Sequence, residues 1–162
     1  MKNLIYFFFL ISINSFSQNS LDKLLKKYNT ESVPYISVDS LNAIKNDVVL
    51  LDAREQNEYD VSHLKNAVFV GYDNFNLKKT VKKLPNKNAK IVVYCSLGIR
   101  SEDISEKLTK KGFTNVLNLY GGIFEWKNNN YNVFSSEGKA TEKVHTFSEE
   151  WSKWLLKGEK IY

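Results

Sequence analysis

The chain is short of the residues that usually announce a special architecture. With one cysteine in 162 residues it can build no internal disulfide framework, and Cys95 has no partner within the chain. Two histidines, His63 and His145, are the only ring nitrogens available beside that thiol, too few for a closed zinc site, so no metal is expected. Two prolines and seven glycines exclude a collagen-like or linker-like chain. After residue 17 no apolar run approaches the roughly 20 residues that a membrane-spanning helix needs. Charge is not concentrated either. The net +5 comes from dispersed lysine pairs, Lys26-Lys27, Lys78-Lys79, Lys82-Lys83 and Lys110-Lys111, the pattern of solvated faces. No basic stripe is interleaved with aromatics, which argues against a nucleic-acid partner.

What is present describes an ordinary globule: 43% apolar and 25% charged residues, enough chain for one domain with a core and terminal extensions. Residues 1–17 stand apart. Met1-Lys2-Asn3 opens with positive charge, Leu4 to Ile13 is almost unbroken apolar, and Ser15-Phe16-Ser17 places small residues where a signal peptidase reads. This predicts a cleaved leader and an exported protein, periplasmic or secreted, with no stable membrane association after cleavage. A lone cysteine in an oxidising compartment is unusual. It reads either as an inert core thiol or as a thiol kept for chemistry.

Beyond the leader, residues 18–32 form an N-terminal helical extension in which Leu21, Leu24, Leu25 and Tyr28 share one face. From residue 33 to 134 short β-rich runs alternate five times with helical patterns: Tyr35 to Val38 then Ser40 to Lys45 capped by Asp39, Val48 to Asp52 then Gln56 to Tyr59, Ala67 to Val70 then Asn76 to Leu84, Ile91 to Tyr94 then Ser101 to Lys111, and Asn115 to Leu119 then Ile123 to Asn128. That rhythm predicts an α/β fold, a central and mostly parallel five-stranded sheet flanked by helices on both faces. Val48-Val49-Leu50-Leu51 and Ile91-Val92-Val93-Tyr94 read as its buried central strands. The last stretch, 135–162, is expected to run polar over the surface to about Thr146. A short helix follows, capped by Ser148, with Lys157 near its end and Gly158 beyond it. Trp151, Trp154 and Leu155 share a face of that helix. The face either docks on the domain or meets a protein partner.

The stretch from Tyr94 to Ser101 carries the chemistry. A buried strand delivers Cys95 to the carboxyl edge of a parallel sheet, where ligand crevices form. Gly98 allows the loop Ser96-Leu97-Gly98-Ile99 to wrap the sulfur with backbone N–H groups. The start of the following helix and Arg100 add positive charge. Such surroundings favour a thiolate or persulfide anion, which an inert core thiol does not need.

Here the chain resembles the rhodanese-like family of sulfurtransferases. The family's active loop reads Cys, any two, Gly, any one, Arg, then Ser or Ala, matched by Cys95, Gly98, Arg100 and Ser101. The likeness extends upstream through Leu51-Asp52-Ala53-Arg54-Glu55, Glu58-Tyr59 and Ser62-His63-Leu64-Lys65-Asn66-Ala67. Downstream it takes in Lys111-Gly112-Phe113, Asn115-Val116, Asn118-Leu119, Gly121-Gly122-Ile123 and Trp126. One departure is Ser62, where the family usually has Gly before His; residues 135–162 lie outside the pattern. The resemblance implies a thiosulfate sulfurtransferase-like enzyme. Cys95 takes a sulfane sulfur from a small anionic donor and passes it to a thiol or cyanide, with Arg100 and the loop amides holding the donor and the persulfide. No cofactor is implied. Asp52 and Arg54 read as a structural pair, Glu58 as a second partner for Arg54, and His63 as structural.

Two other functions compete. Cysteine phosphatases and arsenate reductases resemble this loop but place five residues between Cys and Arg, whereas Cys95 and Arg100 are separated by four, a smaller cradle that suits one sulfur atom. A non-enzymatic binding or redox-sensing module would instead use the C-terminal helix and an exposed thiol.

Overall fold

The computed structural model describes residues 20–162, so the leader reading at 1–17 lies outside the described residues. The chain divides into two units, 1–31 and 32–162. In the first, helix α1 runs through residues 20–28, and the Asn29 amide closes its last turn on the Leu25 carbonyl (2.7 Å).

The second unit is organised by its most apolar segment. Strand β4 (Ile91–Tyr94) is buried at every residue and takes the central position of a five-stranded parallel sheet. Its neighbours are β2 (Val49–Asp52) and β5 (Val116–Leu119), with β3 (Val68–Phe69) and β1 (Tyr35–Ile36) at the edges. Leu51 lies opposite Val93, and Asp52 opposite Tyr94. Alternation along the strands sends Leu51, Ile91 and Val93 to one face, where they pack with Ile104, Leu108 and Phe113. Leu50, Val92 and Tyr94 face the other way and are equally buried. A parallel sheet needs cover on both faces, and this one has it.

The connecting helices are α2 (Val38–Ile44), α3 (Gln56–Val61), α4 (Leu77–Lys82), α5 (Arg100–Lys110) and α6 (Gly122–Asn128). The cap of α2 is Ser37, whose hydroxyl accepts the Ser40 N–H, rather than the expected Asp39. Val38 is thereby drawn into the helix, where its side chain is buried. Asn76 caps α4 through its side chain, accepting from Lys79 N.

The C-terminal stretch differs from the polar surface excursion expected of it. Strand β6 (Val133–Phe134) pairs antiparallel with β7 (Ala140–Thr141), and β8 (Lys143–His145) pairs parallel with β9 (Glu159–Ile161). Val144 and Thr146 are fully buried, because β8 lies against α3. The terminal helix α7 is shorter than predicted, Glu149–Ser152, which leaves Lys157 well beyond it. Ser148 heads that helix, but its carbonyl, not its hydroxyl, makes the bond, to Ser152 N (3.1 Å). Leu155 is buried, and Trp151 and Trp154 are half-buried against the same unit. Among the described residues no helix is long and apolar enough to cross a membrane.

Candidate active site

Cys95 leaves β4 at the carboxyl edge of the sheet, and its sulfur is held by the loop that follows. Gly98 N–H donates to Sγ (3.1 Å), and the Ser101 hydroxyl lies 3.5 Å from it. Gly98 adopts φ +104°, a left-handed conformation that turns its amide inward, and a Cβ there would come within 3.1 Å of the Leu119 carbonyl. Asn118 on β5 fixes the turn from outside. Its Nδ2 donates to Gly98 O (2.8 Å) while its Oδ1 accepts from Ser101 Oγ (2.7 Å). One asparagine thus ties both ends of the loop to the sheet.

The loop's own carbonyls are taken up by α6. Ile123 N–H donates to Cys95 O (2.9 Å) and Phe124 N–H to Ser96 O (3.2 Å). This contact depends on Gly122, which sits at φ +55° with Ser96 O only 2.6 Å from where a Cβ would be, and Cys95 O closer still. No side chain fits.

Arg100 heads α5, and its guanidinium engages Glu58 through Nη1–Oε2 (2.7 Å) and Nη2–Oε1 (2.8 Å). Ser96 Oγ joins them, donating to Glu58 Oε1 (3.1 Å) and accepting from Arg100 Nη2 (3.0 Å). The expected pairing of Glu58 with Arg54 is therefore corrected. Arg54 is fully buried and engaged elsewhere, its Nη2 meeting Asp52 Oδ2 (2.6 Å) and the Ser62 carbonyl (2.6 Å), while its Nη1 is buried without a hydrogen-bond partner. Nor does Arg100 stand as an uncompensated cation beside the sulfur: a buried carboxylate neutralises it. Burial alone would raise the Glu58 pKa, but the Arg100 hydrogen bonds and charge outweigh it and hold the carboxyl below its ordinary value.

Asp52 and Arg54 form the structural pair that was anticipated, with Asp52 also accepting the Arg54 backbone N–H (3.0 Å). His63 stacks on Tyr59 at 4.0 Å, and its Nδ1 lies 3.1 Å from the Tyr59 carbonyl, apart from the cysteine loop. Ser62 is extended at φ −169°, so its place in the chain needs no glycine.

Above the loop lies a cavity of about 160 Å³ bounded by Cys95, Ser96, Leu97, Ile99, Arg100, Phe147 and Trp151. The cysteine is 2% exposed, so the sulfur belongs to this pocket and is not the exposed thiol that a redox sensor was expected to show. Phe147 and Trp151 come from the C-terminal stretch. Phe147 was not legible as a site residue, because a single aromatic in a polar run carries no periodic signal, and Trp151 was read only for helix packing. Asn118 and His145 were also missed. His145 Nδ1 accepts from Phe147 N–H (3.0 Å), and its Nε2 lies 3.2 Å from Asn57 Nδ2. Among the described residues no group of three His, Cys, Asp or Glu side chains could hold a metal ion.

A parallel sheet with a thiol held by a tight loop at the carboxyl end of its central strand defines an α/β domain with a cysteine-centred site. Residues 37–129 match the rhodanese-like domain model. The chain belongs to the rhodanese-like domain family. It is 45% identical over 83 residues to a tRNA uridine(34) hydroxylase of Aster yellows witches'-broom phytoplasma, covering 49% of this chain and 27% of that protein. It is 35% identical over 126 residues to the tRNA uridine(34) hydroxylase of Wigglesworthia glossinidia brevipalpis, covering 67% and 39%. The chain thus spans well under half the length of these curated relatives, whose names are those of hydroxylases and not of sulfurtransferases. Among solved structures it is similar to a rhodanese-related protein from Thermoplasma volcanium, with a TM-score of 0.55 at 27% identity over 62% of this chain and 96% of that one. The fold also matches a thiosulfate sulfurtransferase from Pseudomonas aeruginosa, with a TM-score of 0.60 at 17% identity over 86% of this chain and 26% of that one.

Proposed function

We propose that this protein is a sulfurtransferase that carries a sulfane sulfur as a persulfide on Cys95. The observation that carries the reading is the Gly98 N–H at 3.1 Å from a sulfur that bounds a strand-end pocket. In the first step the Cys95 thiolate attacks the outer sulfur of a donor such as thiosulfate. A sulfur–sulfur bond forms to Cys95 and the donor's own sulfur–sulfur bond breaks, its electron pair leaving with sulfite. The Gly98 amide is placed to donate to anionic sulfur, while the Ser101 hydroxyl donates its proton to Asn118 Oδ1. In the second step an acceptor thiolate or cyanide attacks the outer sulfur and releases Cys95. This exchange needs no metal or organic cofactor. The fixed Glu58–Arg100 pair holds Ser96 and the loop backbone in place through both steps.

Purified protein incubated with thiosulfate should gain the mass of one sulfur atom, lose it on addition of cyanide with release of thiocyanate, and gain none as Cys95→Ala. Failure of every sulfane donor to load Cys95 would remove the reading. The relatives' names favour a second one, hydroxylation of a tRNA uridine, which predicts one added oxygen on that uridine after incubation with bulk tRNA. Sulfur transfer is preferred because the described site is built around a thiol and the lysines form no stripe that would follow an RNA backbone. We also propose export, on the strength of residues 1–17 alone; mature protein recovered from an envelope or medium fraction should begin at Gln18.

A further inference from the structure

We propose that the C-terminal stretch adapts the pocket to organic sulfur donors that carry an apolar substituent, in preference to an inorganic dianion; this rests on the sulfur-transfer reading. The pocket beside Sγ is walled by Leu97 and Ile99 from the loop and by Phe147 and Trp151 from the tail, and these four walls are apolar. The two aromatic walls lie beyond residues 37–129, the span of the family match. They are supplied by the stretch outside that match.

Phe147 is placed at a cost. It takes φ +65°, a conformation that a side chain with a Cβ ordinarily avoids, and the residue is 53% exposed. The turn is held because Phe147 N–H donates to His145 Nδ1, and the ring lies 5.1 Å from Arg100 Cζ. A large aromatic held open to solvent beside a nucleophile is explained by a ligand that covers it.

Charge points the same way. Both terminal nitrogens of Arg100 are engaged by Glu58 and Ser96, and the Glu58 carboxylate cancels the guanidinium charge. A doubly charged donor entering an apolar pocket would lose water without gaining an uncompensated cation in return. A singly charged thiosulfonate with a hydrocarbon group loses less and buries apolar area on Phe147 and Trp151. The chemistry balances without another reactant: the Cys95 thiolate bonds to the sulfane sulfur, the bond from that sulfur to the sulfonyl sulfur breaks, and the sulfinate leaves with the electron pair.

The test compares three donors, thiosulfate, methanethiosulfonate and benzenethiosulfonate, by the rate at which each loads Cys95 in the intact protein, read by mass. Each rate is divided by the donor's rate with free cysteine to remove intrinsic reactivity. The corrected rate should be highest for the benzene compound, about tenfold above the methane compound, the factor that burial of a phenyl-sized surface supports. Thiosulfate should be slowest. In Phe147→Ala and in Trp151→Ala the benzene-to-methane ratio should fall toward unity. Equal corrected rates, or thiosulfate fastest, overturn the inference and leave sulfur transfer standing. Loading by no donor removes sulfur transfer and this inference with it.

Discussion

Arg100 and Glu58 meet as a parallel two-bond pair, Nη1 to Oε2 at 2.7 Å and Nη2 to Oε1 at 2.8 Å, with the carboxylate 1% and the guanidinium 16% exposed. The pair joins the first turn of α3 to the first turn of α5 across the mouth of the cysteine loop. Glu58 does further work at its own helix, where Oε2 accepts the Glu55 N–H (3.0 Å) in a capping box. One carboxylate therefore sets a helix start, neutralises the cation next to the sulfur and anchors Ser96.

Glu58→Gln should cost about 3 kcal/mol of stability, the lower end for a buried pair broken from one side, because Arg100 keeps an edge in water. Urea unfolding at neutral pH measures it. The same substitution uncovers the Arg100 charge, so loading by thiosulfate should rise relative to benzenethiosulfonate among the molecules that remain folded. Because the Glu58 pKa is depressed in the fold, its contribution is complete above the ordinary carboxyl value of 4.5 and is lost as pH falls through the lower folded value. The gap in stability between wild type and Glu58→Gln should therefore close in acid; a gap that stays constant down to acid pH counts against the pair.

The Asp52–Arg54 pair is buried on both sides, each side chain 0% exposed. Removing one charge strands the other in the interior, so Asp52→Asn should destabilise by about 3–5 kcal/mol. Arg54 also donates from Nη2 to the Ser62 carbonyl and rests its Cζ 5.7 Å from the Tyr94 ring, so Arg54→Met should lose the link between β2 and the turn before His63. The double substitution should cost less than the sum of the two single changes. Additive costs in denaturant unfolding would show that the two charges do not depend on each other.

The central strands and the cysteine loop were legible because their signals are local: four consecutive buried apolar residues in β4, then Cys, Gly, Arg and Ser at fixed spacing. The partner of Glu58 was not, since Arg54 is four residues away on the same stretch while Arg100 is 42 away, and only the folded chain shows which of the two is already occupied. The tail hid for the same reason. Lys143-Val144-His145 carries a single apolar residue, and its strand character comes from pairing with Glu159 to Ile161, which no local pattern announces. Phe147 owes its place in the pocket to that pairing and to His145.

Gly122 tests how the loop is supported. Ala at this position meets the carbonyls of Cys95 and Ser96, which are backbone atoms and cannot swing aside. Gly138 has a similar backbone at φ +75° but nothing within 4 Å of a built Cβ. Gly138→Ala should therefore show only the left-handed penalty, about 1–2 kcal/mol, with sulfur loading of Cys95 unchanged. Gly122→Ala should add an overpacking cost of about 1–3 kcal/mol and slow the loading as the loop shifts. Equal stability losses in the two variants would mean that α6 yields to the new methyl group.

His145 provides a pH-dependent anchor for the aromatic wall. Burial lowers its pKa below the ordinary 6.5, with the fields of Arg54 and Arg100 acting in the same sense and that of Glu58 opposing them. The neutral ring accepts the Phe147 N–H at Nδ1, and Asn57 Nδ2 lies 3.2 Å from its Nε2. The fold favours the neutral form, so this contribution is complete above 6.5 and is lost as pH falls through that value toward the lower folded one. Protonation removes the acceptor that holds Phe147 at φ +65°. Taken from about pH 7.5 to about pH 5.5, on either side of the histidine range, wild type should lose stability that His145→Gln does not lose, and tryptophan fluorescence should shift before global unfolding, a shift absent in Trp151→Phe. Identical pH profiles for the two proteins would show that the wall is held by the β8–β9 pairing alone.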